Sequence, residues 1–84
     1  MAATTHSHRI LLFAGVAQRA GAREWRVDVA AGSTVAELRE ELARRHPWLR
    51  ELPVAFAVNQ ALAAPTTRLA AGDELALLPP VSGG

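Results

Sequence analysis

The chain contains no cysteine, no lysine and no tyrosine. Without cysteine there are no disulfides, zinc–thiolate sites, iron–sulfur clusters or thiol nucleophile. The fold must therefore rest on packing alone and makes no demand for an oxidising compartment. Without lysine there is no ε-amine for a Schiff base, and none to accept isopeptide chains of the molecule on itself. Charge of one sign is also scarce. Nine arginines face eight acidic residues, a net charge of +1. No basic run supplies the electrostatic footprint of nucleic-acid or anionic-membrane binding. No apolar run approaches the roughly 18 residues of a membrane span. Residues 1–8 lack the basic-then-apolar plan of a secretory signal, so the chain reads as cytoplasmic. The phosphate-binding loop, the dinucleotide fingerprint and the His-Glu-x-x-His zinc motif are all missing.

What remains is one small domain of 84 residues. Half of it is apolar, but 18 residues are alanine, so 23 Val, Ile, Leu, Phe and Trp side chains must build the core. Residues 1–8 read as a disordered lead-in. Arg9 to Ala14 reads as a strand apolar on both faces, Ile10 and Leu12 on one, Leu11 and Phe13 on the other. Val16 to Ala20 makes a short helical turn closed by Gly21. Glu24 to Val29 alternates, with Trp25, Val27 and Val29 on one face, and predicts a half-exposed strand.

The main helix is expected over about 34–46. Thr34 and Glu37 have capping-box spacing, and Val35, Leu38 and Leu42 form an apolar stripe. Glu40–Arg44 and Glu41–Arg45 stand four apart in the favourable order, and Pro47 ends the helix. Trp48, Leu49 and Leu52 seat the following loop on the core. Val54 to Val58 is a strand, Asn59-Gln60 a turn, and Ala61 to Ala63 a short strand. Leu69 anchors a loop, Gly72-Asp73 turns, and Glu74 to Leu78 is the last strand, stopped by Pro79-Pro80. The sum is α+β: a mixed sheet of about five strands with one main helix, with the domain at 9–80 and a tail at 81–84.

A single helix covers one face of such a sheet. The other face would carry Leu11, Phe13, Ala76 and Leu78. Either loops 16–23 and 60–70 bury it, or it docks a protein partner.

An active site is hard to find. His6 and His8 lie in the lead-in, His46 decorates a helix end, and Glu37, Glu40 and Glu41 make a solvated face. No serine or threonine has a base at motif spacing, so the chain is a binding or carrier module rather than a complete enzyme. The chemistry concentrates at the end, Pro79-Pro80-Val81-Ser82-Gly83-Gly84. The proline pair is stiff. Six extended residues span roughly 20 Å at ~3.3 Å each, against an expected radius of gyration of about 12 Å. Gly83 and Gly84 have no Cβ, so the backbone can pass a narrow channel. The Gly84 carboxylate is the group that can be covalently activated.

This ending, preceded by Gly72-Asp73-Glu74, resembles the C-terminal signature of the MoaD/ThiS sulfur-carrier family, and within it the MoaD branch, the small subunits of molybdopterin synthase. Leu12-Phe13-Ala14, Thr34-Val35-x-x-Leu38 and Ala57-Val58-Asn59-Gln60 match as well, so the resemblance covers 9–84. Many relatives carry Arg-Glu where Ala17-Gln18 stand here, and no basic contact is carried over. Ala71 replaces an acidic residue common before Gly-Asp-Glu.

The resemblance implies a β-grasp, ubiquitin-like fold. It implies that an adenylating enzyme of the ubiquitin-activating type spends ATP on the Gly84 carboxylate, and that a sulfur-donor enzyme converts the acyl-adenylate to a thiocarboxylate. The tail (Pro79, Pro80, Val81, Ser82, Gly83) then enters the large subunit of a heterotetrameric synthase. Sulfur passes there to cyclic pyranopterin monophosphate. Phe13, Leu62 and Leu78 are the implied partner-binding residues. The chain itself would bind no cofactor and no metal. Two other readings share the same Gly84: a ubiquitin-like protein modifier, and a sulfur carrier for tRNA thiolation or thiamin synthesis.

Overall fold

Backbone pairing begins earlier in the chain than the apolar pattern does. The computed structural model describes residues 4–80. Its first strand, β1 (Thr5–Leu12), runs antiparallel to β2 (Glu24–Ala30), with Thr5 opposite Ala30 and Leu11 opposite Glu24. The disordered lead-in expected over 1–8 is therefore corrected: residues 5–8 are strand. The ladder is made by main-chain groups, which Thr, His and Ser supply as well as any residue. Alternation also places His6 and His8 on the face of Val27 and Val29, and His8 is 3% exposed.

Phe13 is extended, and the chain then folds into α1 (Ala14–Ala20), longer than the turn expected from 16–20. It ends on Gly21, whose left-handed φ of 69° lets its N–H reach the Ala17 carbonyl. Val16 is its buried residue. The main helix α2 (Val35–Arg45) has the expected cap. The Glu37 N–H donates to Thr34 Oγ1 at 3.2 Å, and the Thr34 N–H to Glu37 Oε1 at 2.9 Å. Glu41 pairs with both Arg44 and Arg45, whereas Glu40 reaches past the helix end to Arg50 at 3.3 Å. The expected Glu40–Arg44 pair is thus replaced, because the next turn folds Arg50 back along the helix. That turn is a 3₁₀ segment, Pro47–Glu51, and Leu49 is its core residue.

β3 (Ala55–Val58), β4 (Ala61–Leu62) and β5 (Leu75–Leu78) complete a five-stranded sheet in the order β2-β1-β5-β3-β4. β1 and β5 are parallel and the other pairs antiparallel. Asn59 and Gln60 make the expected turn between β3 and β4, and both are left-handed, with φ of 52° and 68°. The core lies between α2 and one sheet face. Ile10, Leu12, Leu38, Leu42, Phe56, Leu75 and Leu77 meet there, and Leu69 pins the long loop before β5. The Cα radius of gyration is 12.5 Å.

Candidate functional site

Register decides what faces outward. Leu11 lies opposite Ala76, Ala76 opposite Ala57, and Ala55 opposite Leu78. Their neighbours Leu12, Leu77 and Phe56 point into the core, so Leu11, Ala57, Ala76 and Leu78 share the face away from α2. Phe13 joins them and is 49% exposed. Its N–H donates to the Leu77 carbonyl at 3.2 Å, which carries the β1–β5 pairing one residue further and holds the ring beside Leu78.

These side chains line an open apolar depression of about 620 Å³, with Gln60 and Glu74 as its polar rim and Pro79 at its end. Loops 16–23 and 60–70 leave it uncovered, apart from Gln60 at the margin. Of the two readings of the spare face, burial by loops is the one the geometry overturns. Ala57 is a member of the face that composition alone does not reveal. Its position follows only from the β3–β5 register.

Leu62 lies opposite Ala57, which places it on the same face at the sheet edge, and it is 62% exposed. It does not line the Phe13–Leu78 depression; it turns over the edge toward α2. Pro79 and Pro80 follow β5 directly and are exposed. Val81, Ser82, Gly83 and Gly84, the remaining tail positions, lie outside the described residues.

Beside this face, the Gly72-Asp73-Glu74 turn is tied to the Asn59 turn. The Asp73 carboxylate accepts from the Ala70 N–H at 2.7 Å and from the Asn59 side-chain amide at 3.0 Å. The Glu74 N–H donates to Asn59 Oδ1 at 2.9 Å. These bonds hold the Asp73 carboxyl below its usual range, the Ala70 N–H first and Asn59 second. Gly72, at φ 82°, supplies the left-handed step that aims Asp73 back at Ala70. The two short motifs are thus one latch that sets where β5 starts.

Among the described residues no three His, Asp or Glu side chains come together. His8 faces its Nδ1 to the Asp73 carbonyl at 3.3 Å, buried beneath the sheet. His46 stacks on Trp25 with ring centroids 4.1 Å apart, next to Trp48. His46 is a packing residue, whereas His8 is buried with no hydrogen-bond partner for its Nε2 among the described residues. Among the described residues no helix is long and apolar enough to cross a membrane.

Known proteins resemble this chain along most of its length. Small archaeal modifier protein 1 of Haloferax volcanii is 45% identical over 83 residues, covering 87% of this chain and 95% of that protein. The human molybdopterin synthase sulfur carrier subunit is 35% identical over 80 residues, covering 89% and 91%. Among solved structures, a putative molybdopterin converting factor subunit 1 from Pyrococcus furiosus superposes with a TM-score of 0.82 at 28% identity, over 90% of this chain and 99% of that one. A chain from the complex of subunits 1 and 2 of the molybdopterin-converting factor of Helicobacter pylori superposes with a TM-score of 0.65 at 26% identity, over 93% and 99%. These neighbours share the ubiquitin-like β-grasp fold. The ThiS family pattern matches residues 10–84, and the chain belongs to the ThiS family of small sulfur-carrier proteins.

Proposed function

We propose that this chain is the sulfur-carrying small subunit of a molybdopterin synthase, and that Gly84 is the carrying residue. The observation that carries the reading is the exposed Leu11–Phe13–Ala76–Leu78 depression lying at the point where Pro79-Pro80 leaves the sheet. The body offers apolar area for affinity at the place from which a reactive tail must be fed into a cleft. The similarity to sulfur carrier subunits of molybdopterin synthase, and to a chain solved in complex with its subunit 2, supports a large-subunit partner.

The chemistry follows from the poverty of the chain's own side chains. A carboxylate is a poor electrophile. An adenylating partner joins the Gly84 carboxylate to the α-phosphate of ATP, releasing pyrophosphate. A sulfur-donor enzyme's persulfide then displaces AMP, and reduction of the resulting S–S bond by a thiol leaves the thiocarboxylate. Thiocarboxylate is a better nucleophile than carboxylate and gives its sulfur to the pterin precursor inside the large subunit. A dithiolene needs two sulfurs, so two carriers serve each product. Groups that polarise the substrate belong to the partners.

A second reading, a ubiquitin-like modifier, is favoured by the 45% identity to small archaeal modifier protein 1. One experiment separates the two. The protein is incubated with ATP, the adenylating enzyme and the sulfur donor, and its intact mass is measured before and after adding the large subunit and pterin precursor. The carrier reading expects one oxygen-for-sulfur exchange at Gly84, reversed in the second step with formation of molybdopterin. Isopeptide conjugates to other proteins, with no reversal by the large subunit, would establish the modifier reading instead.

A further inference from the structure

β2 is the free edge of the sheet, with β1 on one side of it and, among the described residues, no strand on the other. Its hydrogen-bond phase follows from two bonds at the ends of the β1–β2 ladder. The Leu12 N–H donates to the Arg23 carbonyl at 2.8 Å, and the Ala31 N–H to the Thr4 carbonyl at 2.9 Å. Main-chain groups alternate in direction along an antiparallel ladder. Trp25, Val27 and Val29 therefore turn theirs toward β1, and Glu24, Arg26, Asp28 and Ala30 turn theirs to the open side. The Ala30 carbonyl accepts from Ser33 Oγ at 2.7 Å. The N–H and carbonyl groups of Arg26 and Asp28 have no partner among the described residues.

Charged side chains on an edge normally keep other strands away, and Glu24, Arg26 and Asp28 are all exposed. Here the order of the charges matters. Directly across the ladder Arg26 has Arg9, a like charge, and Asp28 has Ser7. Arg9 lies 3.9 Å from Glu24, and neither Arg26 nor Asp28 enters an ion pair among the described residues. The other charges bordering Asp28, in the groove toward α2, are engaged: Glu37 in the Thr34 cap and Glu41 with Arg44. Two copies of this edge, laid antiparallel about a two-fold axis at Val27, bring Arg26 of each opposite Asp28 of the other and Glu24 opposite Ala30. These are the residues whose main-chain groups face the open side, so each Arg26–Asp28 pair can exchange two hydrogen bonds. Sliding the copies by two residues sets Arg26 against Arg26 or Asp28 against Asp28. Sliding them by four leaves only one end of β2 overlapped. Phase and charge thus select a single register.

We infer that β2 pairs antiparallel with β2 of a second copy of this chain, with an Arg26–Asp28 ion pair on each side of the axis. The two sheets become one continuous sheet. The axis stands perpendicular to it, so both α2 helices lie on one side and both Phe13–Leu78 depressions lie uncovered on the other. A single edge strand of 7 residues makes an interface at the small end of the range, so the association is weak and depends on concentration. The inference goes beyond the carrier reading and stands whether or not Gly84 carries sulfur.

The test is analytical ultracentrifugation of the full chain in low salt, from about 10 μM to about 1 mM protein. The expected result is a mean mass that rises from one chain toward two as concentration increases. Arg26→Asp and Asp28→Arg are exposed changes, and thermal melts check that each variant is folded. By symmetry each one turns both ion pairs repulsive, and each should weaken self-association at least about tenfold. An equimolar mixture of the two variants should associate again, because every pair across the axis is then of opposite charge. The inference is overturned by the mass of one chain at every concentration, by self-association of either folded variant as strong as that of the native chain, or by a mixture that associates no better than its components.

Discussion

Asp73 makes more hydrogen bonds than its short side chain would lead one to expect, and its surroundings show why. One carboxylate oxygen accepts from the Asn59 amide and the other from the Ala70 N–H, while the neighbouring Glu74 N–H and carbonyl both pair with Asn59. Replacing Asp73 with Ala leaves the Ala70 N–H and the Asn59 amide without their partner. We expect a loss of about 1–2 kcal/mol, since both groups are open enough for water to substitute in part. The pH dependence has a definite sign. The folded-state Asp73 carboxyl titrates below its usual range because the Ala70 and Asn59 hydrogen bonds favour the charged form. Its contribution is therefore complete above the ordinary aspartate range and is lost as the pH falls through the depressed folded-state value. Glu37, lowered by the Thr34 backbone and hydroxyl, acts in the same direction. Urea midpoints measured across the acid range should fall with acidification in the native chain, and more shallowly in Asp73→Asn.

At the scale of the element, legibility depended on whether side chains or backbone define the segment. α2 was legible because a cap and an apolar stripe are side-chain signals, and both appear where the sequence places them. The opposite holds for the start of β1. Thr5 to His8 gives no apolar pattern, yet β2 offers a complete run of backbone partners, and pairing follows from that. The two-sided apolar character of β1 and β5 did reveal the outward face, whereas Ala57 needed the sheet order to find. The sheet gives a contrast between two residues joined by one backbone hydrogen bond, Phe13 outward and Leu77 in the core. Phe13 is 49% exposed, and Leu77 is fully buried. Phe13→Ala should weaken binding to a tail-accepting partner by roughly 1.5–3 kcal/mol, the value of burying a large side chain, and barely move the melting temperature. Leu77→Ala should cost about 2–5 kcal/mol of stability through the cavity it leaves. Isothermal titration with the large subunit, set beside thermal melts, separates the two. Equal binding by a folded Phe13→Ala protein would remove the outward face from the interface.

For the molecule as a whole, the described fold runs to Pro80, and the proposed carrying residue, Gly84, lies four positions beyond it in sequence. Among the described residues the last buried core side chain is Leu77. The end was legible as chemistry from its composition: Pro-Pro-Val-Ser-Gly-Gly sets a stiff pair before small residues and two glycines without a Cβ. If Gly84 is the carried residue, deleting it should abolish sulfur transfer and leave the melting temperature unchanged. Adding one residue beyond Gly84 should be nearly as damaging. It moves the reacting carboxylate by about 3.3 Å, and productive attack geometry is lost with errors of about 1 Å. Gly83→Val tests the channel rather than the length. The branched side chain narrows the accessible φ and ψ and adds bulk where the chain must pass. It should therefore lower transfer while adenylate formation, measured as pyrophosphate release, shows whether the activating partner is equally strict. A Gly84 deletion that still supports molybdopterin formation would exclude both the carrier and the modifier chemistry, because each begins at that carboxylate.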